Sequence, residues 1–425
     1  MFTARTRSLI GACAVLCGLA IPAAANAAGV YVSNSAPVVA GGKSCAQPSF
    51  SSIQGAISAA SAQIVVCPGT YKEQLTITKT TKVTVAGTAG SAKVALPASP
   101  SNSDTPCDKA AAEAGFSPDQ DEIAICGSIK VSINGLAVEA KWPSGTCGPS
   151  MYGIRVAGGA LLSATNVTVE GAGASPINGC QSGVGIQAGT TRTKPAETGS
   201  LKLKGVTVSD YQKNGITIAT KGSSANIATT TVIGAGATEA TAQNGIQVSD
   251  GASIKLKSSK VSGDECENVN CSQSTTQAAG LLLLGAAPGS SVSSSTVSEN
   301  DMGVYYLSES ESQPAGPEVT LSKDNFSGNR YEGVILDQGD AVLKGDKITG
   351  PGKIGIDLLQ YEEQSLSSQS SALSTRVEGM SEAAVKVESD KAATDKPGKF
   401  TVTKSTFNSD ASVLVNESSN FEVIF

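Results

Sequence analysis

Gly215-Ile216-Thr217-Ile218 is answered thirty residues later by Gly245-Ile246-Gln247-Val248, and this phrase (glycine, apolar, any residue, apolar) decides how the chain folds. It opens as Gly153-Ile154-Arg155-Val156 and Gly185-Ile186-Gln187-Ala188. It returns as Gly280-Leu281-Leu282-Leu283, Gly303-Val304-Tyr305-Tyr306, Gly333-Val334-Ile335-Leu336 and Gly355-Ile356-Asp357-Leu358, with Ala384-Val385-Lys386-Val387 as a degenerate last copy. Successive copies start 32, 30, 30, 35, 23, 30, 22 and 29 residues apart. Such an irregular period falls in the range of solenoid repeats.

Between the copies lie alternating segments, clearest at Leu201-Lys202-Leu203-Lys204 and Ile254-Lys255-Leu256-Lys257. They read as strands with Leu and Ile inward and Lys outward. Val319-Thr320-Leu321-Ser322 and Phe400-Thr401-Val402-Thr403 match more weakly. Past residue 62 no helical period lasts three turns, apart from an alanine-rich turn at Asp108 to Ala114. The expectation is an all-β, parallel solenoid in which the glycine marks the bend before each strand. One coil cannot bury its inward side chains alone and does so by stacking on the next. A dozen coils at ~4.8 Å make a rod roughly 60 Å long.

The ends of such a rod are open sheet edges that need covering. Phe50, Ile53, Ile57 and Ala60 share one helix face, with Ser49 as N-cap, so a capping helix is expected over 49–62. At the other end Phe421-Glu422-Val423-Ile424-Phe425 alternates and reads as a last coil strand.

Composition removes several chemistries. The 425 residues include no histidine, which excludes a Ser-His-Asp triad, a Cys-His pair, His-ligated zinc and an imidazole base. Aromatic residues make up 4%, too few for a broad stacking platform. Residues 1–27 read as an export signal: Arg5 and Arg7, a small apolar stretch from Ser8 to Ile21, and Ala25-Asn26-Ala27 as cleavage site. Its removal takes two of the 31 basic residues and none of the 37 acidic ones. A chain this acidic is not expected to bind nucleic acid through bulk charge. Residues 28–425 are expected to form one exported domain without a membrane span, a monomer. Its place is outside the cell or at its surface, or the periplasm where an outer membrane exists.

Eight cysteines remain outside the export segment, and eight allow 105 connectivities. Pairing neighbours gives Cys45–Cys67, Cys107–Cys126, Cys147–Cys180 and Cys266–Cys271, with 97–126 as an inserted disulfide loop. No CxxC spacing supports the competing metal reading.

Pro48-Ser49-Phe50-Ser51-Ser52-Ile53-Gln54-Gly55-Ala56-Ile57, followed by Val66-Cys67-Pro68-Gly69-Thr70-Tyr71-Lys72-Glu73, resembles the opening of pectate-lyase-like right-handed parallel β-helix proteins. Val208-Ser209-Asp210-Tyr211-Gln212-Lys213-Asn214-Gly215-Ile216 and Ala242-Gln243-Asn244-Gly245-Ile246-Gln247-Val248 are similar to exported bacterial β-helix repeats without an assigned activity. The resemblance covers most of 45–360 and implies a right-handed parallel β-helix. The motifs of pectin methylesterases downstream of Gly69-Thr70-Tyr71-Lys72-Glu73 are missing. The Gly-His-Gly of polygalacturonases and the Asp-Pro-His-Asp of alginate epimerases fail on the absent histidine. The asparagine typical of the coil bend is replaced at Thr231 and Ser259, which implies broken side-chain ladders, whereas Asn214 and Asn244 match from coil to coil.

The phrase places one outward row on a sheet: Arg155, Gln187, Thr217, Gln247, Leu282, Tyr305, Ile335, Asp357 and Lys386. Arg155, Gln187, Gln247, Tyr305 and Asp357 are its candidate ligand-facing residues. A lyase of this fold works with Arg or Lys and Ca²⁺ held by carboxylates. This row has one Asp, far from Arg155, and reads as an ordinary polar face. Asp264-Glu265-Cys266-Glu267-Asn268-Val269-Asn270-Cys271 is the densest oxygen cluster and the place for a Ca²⁺ ion, but it lacks EF-hand spacing and reads as a disulfide-pinned tip. Lys202, Lys204, Lys255 and Lys257 read as solubilising an exposed sheet. The expectation is therefore no catalytic residue and no cofactor, and a non-catalytic structural or binding role toward polysaccharide or cell wall. The alternative is a carbohydrate-active enzyme, foremost a polysaccharide lyase.

Overall fold

The structure is a computed structural model and describes residues 29–101, 105–115, 119–143, 150–267, 278–308, 318–360, 369–389, 397–418 and 420–425. The expected export segment lies outside them. The chain winds as a parallel β-helix with three faces. The first face is a 14-stranded sheet running from Val30–Val32 and Gln63–Val66, through Gly199–Lys204, Ser224–Ala228 and Ser253–Lys257, to Phe421–Ile424. The second face includes Ala137–Pro143, Thr168–Ser175 and Thr231–Thr238. The third holds the repeated phrase, in Met151–Ala157, Val184–Ala188, Asn214–Ala219 and their successors. Two long strands, Lys347–Gln360 and Arg376–Ser389, bend from the second face into the third and join them in one 22-stranded sheet. Strands pair in parallel from coil to coil.

Inward positions form unbroken files. Ile123, Ile154, Ile186, Ile216 and Ile246 stand in register on the third face, none more than 1% exposed. Each buried aliphatic contributes ~1.5–3 kcal/mol, so the stack is held mainly by these files. Along the first face Leu201 and Leu203 are buried while Lys202 and Lys204 are exposed, as alternation requires.

The phrase glycine does different work from that expected. It lies within the strand rather than at a bend, and pairing skips it: Val184 faces Asn214 and Ile186 faces Ile216. A Cβ on Gly215 would stand 2.6 Å from the Gly245 carbonyl oxygen and would strike Val232 Cγ1. The column is glycine because the next coil's carbonyl fills the space, with no unusual φ at Gly215.

The bend between the first and second faces carries a ladder after all, made without asparagine. The Thr230 and Ser259 backbone N–H groups donate to Ser259 Oγ and Ser295 Oγ, both at 3.2 Å. Ser295 N–H donates to Asp324 Oδ1 at 2.7 Å, and Asp324 N–H to Asp346 Oδ1 at 2.8 Å. One oxygen per coil accepting the previous coil's N–H is all the ladder needs, and Ser and Asp supply it as well as Asn. At the matched pair Asn214 and Asn244, Asn244 Nδ2 donates to Asn214 Oδ1 at 3.0 Å.

At the N-terminal end the helix is Ile53–Ser58, shorter than 49–62, and its N-cap is Ser52 rather than Ser49. Glu73 receives the Ile53 and Gln54 N–H groups on its two carboxyl oxygens, at 2.8 and 2.9 Å. A second helix, Pro106–Glu113, stands where an alanine-rich turn was expected, with a Thr105/Asp108 capping box. Cys45–Cys67 and Cys107–Cys126 are disulfides. Cys180 and Cys266 are also disulfide-bonded, and their expected partners Cys147 and Cys271 lie outside the described residues.

Candidate functional site

Register places the whole outward row on the third face. Arg155 pairs with Gln187, Gln187 with Thr217, Thr217 with Gln247, and Gln247 with Leu282. Leu282 pairs with Tyr305, Tyr305 with Ile335, Ile335 with Asp357 and Asp357 with Lys386. The row is one straight file along the rod, but its two halves differ in kind.

Its N-terminal end is sealed at Arg155. The segment carrying helix Pro106–Glu113 folds over Arg155, which is 1% exposed. Arg155 Nη1 lies 2.6 Å from Asp108 Oδ1, 2.7 Å from Asp119 Oδ2 and 3.6 Å from Asp121 Oδ2. Arg192 Nη2 adds a contact to Asp119 at 3.3 Å. Burial pushes the Asp119 carboxyl up, and the Arg155 and Arg192 charges pull it back. The expectation that Arg155 faces a ligand is thereby corrected: it pins the insertion to the sheet. Gln187 is buried and donates to the Gly189 carbonyl at 2.6 Å. Gln247 Oε1 accepts from Asn214 Nδ2 at 2.8 Å. The Gln247 bond ties one coil to the next, and the Gln187 bond stays within its own coil.

The C-terminal half gathers chemistry. Ala279, Met302 and Ile335 form a small apolar cluster on the outward side, against which Leu282, Tyr305 and Leu359 pack. Beside it Tyr305 Oη donates to Asp337 Oδ2 at 2.9 Å. Asp357 follows one coil beyond Ile335, and Lys386 one coil further. Glu332 stands just before the phrase glycine of its coil, and Asp337 and Glu388 lie two residues beyond the row in theirs. Glu388, Glu332 and the Lys386 ammonium thus stand close enough to act on Asp357 across three coils, with Asp337 beside Tyr305.

Their states differ. Asp357 is 5% exposed and its Oδ1 has no hydrogen-bond partner. Burial pushes its carboxyl up to about 8, Glu388 and Glu332 add to the rise, and Lys386 opposes it. Asp337 is raised chiefly by burial, against the hydrogen bond from Tyr305. Lys386 donates to Glu388 and lies 3.6 Å from Glu382, and the Glu388 bond holds its ammonium protonated. Near neutral pH the site therefore carries an acid that keeps its proton beside an ion pair. The four-residue phrase missed Glu332, Asp337 and Glu388 because they sit outside it. Reading one residue before the phrase glycine and two after each outward position would have found them.

The expected Ca²⁺ cluster is not built that way. Asp264 is fully buried and accepts from Tyr211 Oη at 2.7 Å, and burial pushes its carboxyl up. Asn268 to Cys271 lie outside the described residues. Among the described residues, no three of His, Cys, Asp or Glu converge as metal ligands. None of their helices is long and apolar enough to cross a membrane.

No family model and no curated protein matches the sequence. Solved structures do. The Azotobacter vinelandii mannuronan C-5 epimerase AlgE4 A-module is 11% identical, with a TM-score of 0.52 over 87% of this chain and 94% of its own. The catalytic domain of a GH87 α-1,3-glucanase, in complex with tetrasaccharides, is 11% identical, with a TM-score of 0.51 over 88% of this chain and 66% of its own. The periplasmic alginate epimerase AlgG is 10% identical, with a TM-score of 0.49, over 85% of this chain and 77% of its own. At such identity the likeness establishes the fold alone, a right-handed parallel β-helix. The matched proteins are enzymes, and the third face carries an acid, carboxylates and a cation. The expectation of a non-catalytic protein is corrected: these neighbours fit the carbohydrate-active alternative better. The disulfides fit an exported protein.

Proposed function

We propose that this protein is an exported carbohydrate-active enzyme that acts on a polysaccharide laid along the C-terminal half of the third face. The supporting observation is Asp357: a buried carboxyl, protonated near neutral pH, with an unpartnered oxygen and the Lys386-paired Glu388 one coil away. A carboxyl with its pKa raised toward working pH is suited to protonate a glycosidic oxygen. Glu388 lies diagonally across from it, a spacing of ~7–8 Å on a sheet, within the ~6.5–9.5 Å that leaves room for a water in inverting glycosidases. In this reading Asp357 is the general acid and Glu388 the base that activates water. Leu282, Tyr305 and Leu359, partly exposed over the buried apolar cluster, offer the flat side of a sugar an apolar surface. No step runs through a metal ion.

Elimination at a uronate is a second reading. It rests on Lys386, whose charge beside Asp357 suits a uronate carboxylate. Lys386 cannot be the base while Glu388 holds it protonated, and Arg155 is sealed away, so a carboxylate takes that role. One assay separates the two. Purified protein is incubated with neutral and acidic polysaccharides, with and without Ca²⁺, while reducing ends and ultraviolet absorbance are followed. Reducing ends without absorbance mark hydrolysis, and absorbing unsaturated ends mark elimination. Turnover that survives Asp357→Asn refutes the assignment. We place the protein outside the cell or at its surface, or in the periplasm of a producer with an outer membrane.

A further inference from the structure

The first face bears a feature that the third-face chemistry does not use. A shallow trough of about 640 Å³ runs along it, lined by Ser163, Lys202, Lys204, Asn226, Lys255 and Lys257 among others. Register makes two files: Ser163, Lys202, Asn226, Lys255 and Ser291 in one, and Thr165, Lys204, Ala228, Lys257 and Ser293 in the other. All four lysines are exposed. Lysines elsewhere in the rod meet carboxylates, as in Lys93–Glu139, Lys141–Glu170 and Lys386–Glu388. Among the described residues no ion pair joins any of the four to a carboxylate. Glu422, on the last strand, is the only Asp or Glu in any described strand of this face. In a chain whose net charge is −6 this is a segregated positive strip. Solubility alone does not ask for segregation, since mixed charges keep an exposed sheet soluble with less self-repulsion.

We propose that this trough is a second carbohydrate surface, which holds a linear polyanionic polysaccharide along the rod axis, apart from the third face. The spacing supports a linear chain. Within each file the lysines are two coils apart, ~10 Å at ~4.8 Å per coil. Lys202 and Lys204 are ~7 Å apart across the strand. In an extended two-fold polyuronate the carboxylates alternate sides, so each file meets one at every second sugar. Asn226 and the serines between the lysines supply hydrogen bonds to hydroxyls. The class of polymer follows from the reading of the third face, but the test needs no catalysis.

Full-length protein is titrated with polygalacturonate and with a neutral glucan, by calorimetry and by affinity electrophoresis, at several salt concentrations. Wild type and Asp357→Asn are expected to bind polygalacturonate equally. Lys202→Gln/Lys204→Gln/Lys255→Gln/Lys257→Gln is expected to bind it at least tenfold more weakly, with a shallower salt dependence, because fewer charge contacts remain for salt to screen. The double variant Lys202→Gln/Lys255→Gln should fall between, which keeps the test open if the quadruple variant folds poorly. The quadruple variant should keep any turnover of a third-face substrate. Unchanged binding by the lysine variants refutes the proposal. So does equal binding of neutral glucan, or loss of binding in Asp357→Asn. Salt-sensitive self-association that the lysine variants abolish, without polygalacturonate binding, would assign the trough to a second copy of the chain and refutes it as well.

Discussion

Asp357→Asn tests the proposed acid through stability and activity together. The carboxyl moves from an ordinary 3.8 to about 8 in a side chain that is 5% exposed. At ~1.4 kcal/mol per pH unit of displacement this is worth on the order of 5 kcal/mol. Between those two pH values the unfolded chain gives up a proton that the folded protein keeps. The stability contributed by neutral Asp357 is therefore complete below the unfolded pKa, declines as pH rises, and is gone above about 8. Asparagine keeps the shape and never ionises, so the variant lacks this decline. Urea unfolding of both proteins across that range should show the variant gaining on wild type as pH rises, with the gap levelling above about 8. The same proton is the one proposed for transfer, so wild-type turnover should fall above that pH and the variant should lose ~10²–10⁴-fold in rate. A gap in stability that ignores pH would refute the burial argument. Variant turnover within a few-fold of wild type would refute the catalytic one.

Arg155→Met removes the buried guanidinium shared by Asp108, Asp119 and Asp121, of which Asp119 keeps its contact to Arg192. Breaking a buried pair in this way costs ~3–5 kcal/mol, and limited proteolysis should then cut near Pro106–Glu113. Gly245→Ala places a Cβ 2.6 Å from the Gly280 carbonyl oxygen. Overpacking of this kind costs ~1–3 kcal/mol and should lower Tm. Asp324→Ala orphans the Ser295 and Ser322 N–H groups, at ~1–3 kcal/mol for each buried donor. Asp324→Ser, the residue used one coil earlier, should recover part of this in urea titrations. Cys45→Ser/Cys67→Ser opens a loop spanning 22 residues, which by chain entropy costs ~3 kcal/mol, read by calorimetry.

The phrase exposed the architecture because one residue type recurs under one constraint. Gly215, Gly245 and Gly280 each give way to a neighbouring coil's carbonyl, so register could be read directly from spacing. The candidate row followed from the same register and runs straight from Arg155 to Lys386. What spacing could not show is what lies over an outward residue. Arg155 and Asp357 hold the same position in the phrase, yet among the described residues only Arg155 has a helix-bearing insertion and three aspartates drawn over it. Cover comes from segments between strands, which carry no period. The third-face carboxylates escaped for a narrower reason, since Asp337 and Glu388 lie one step past the four residues that define the repeat.

The glycine column also sets the unit in which this protein can change length. A duplicated coil brings its own glycine beneath the next carbonyl and extends the rod without disturbing either neighbour. A duplication that is not a whole number of coils sets a Cβ against that carbonyl and fails locally. Ala384, buried at the last copy, and Glu122, which holds the glycine's place in Gln120–Cys126, mark where the column stops. Growth by whole coils is therefore open between those two positions, and each added coil would lengthen both outward surfaces by the same step.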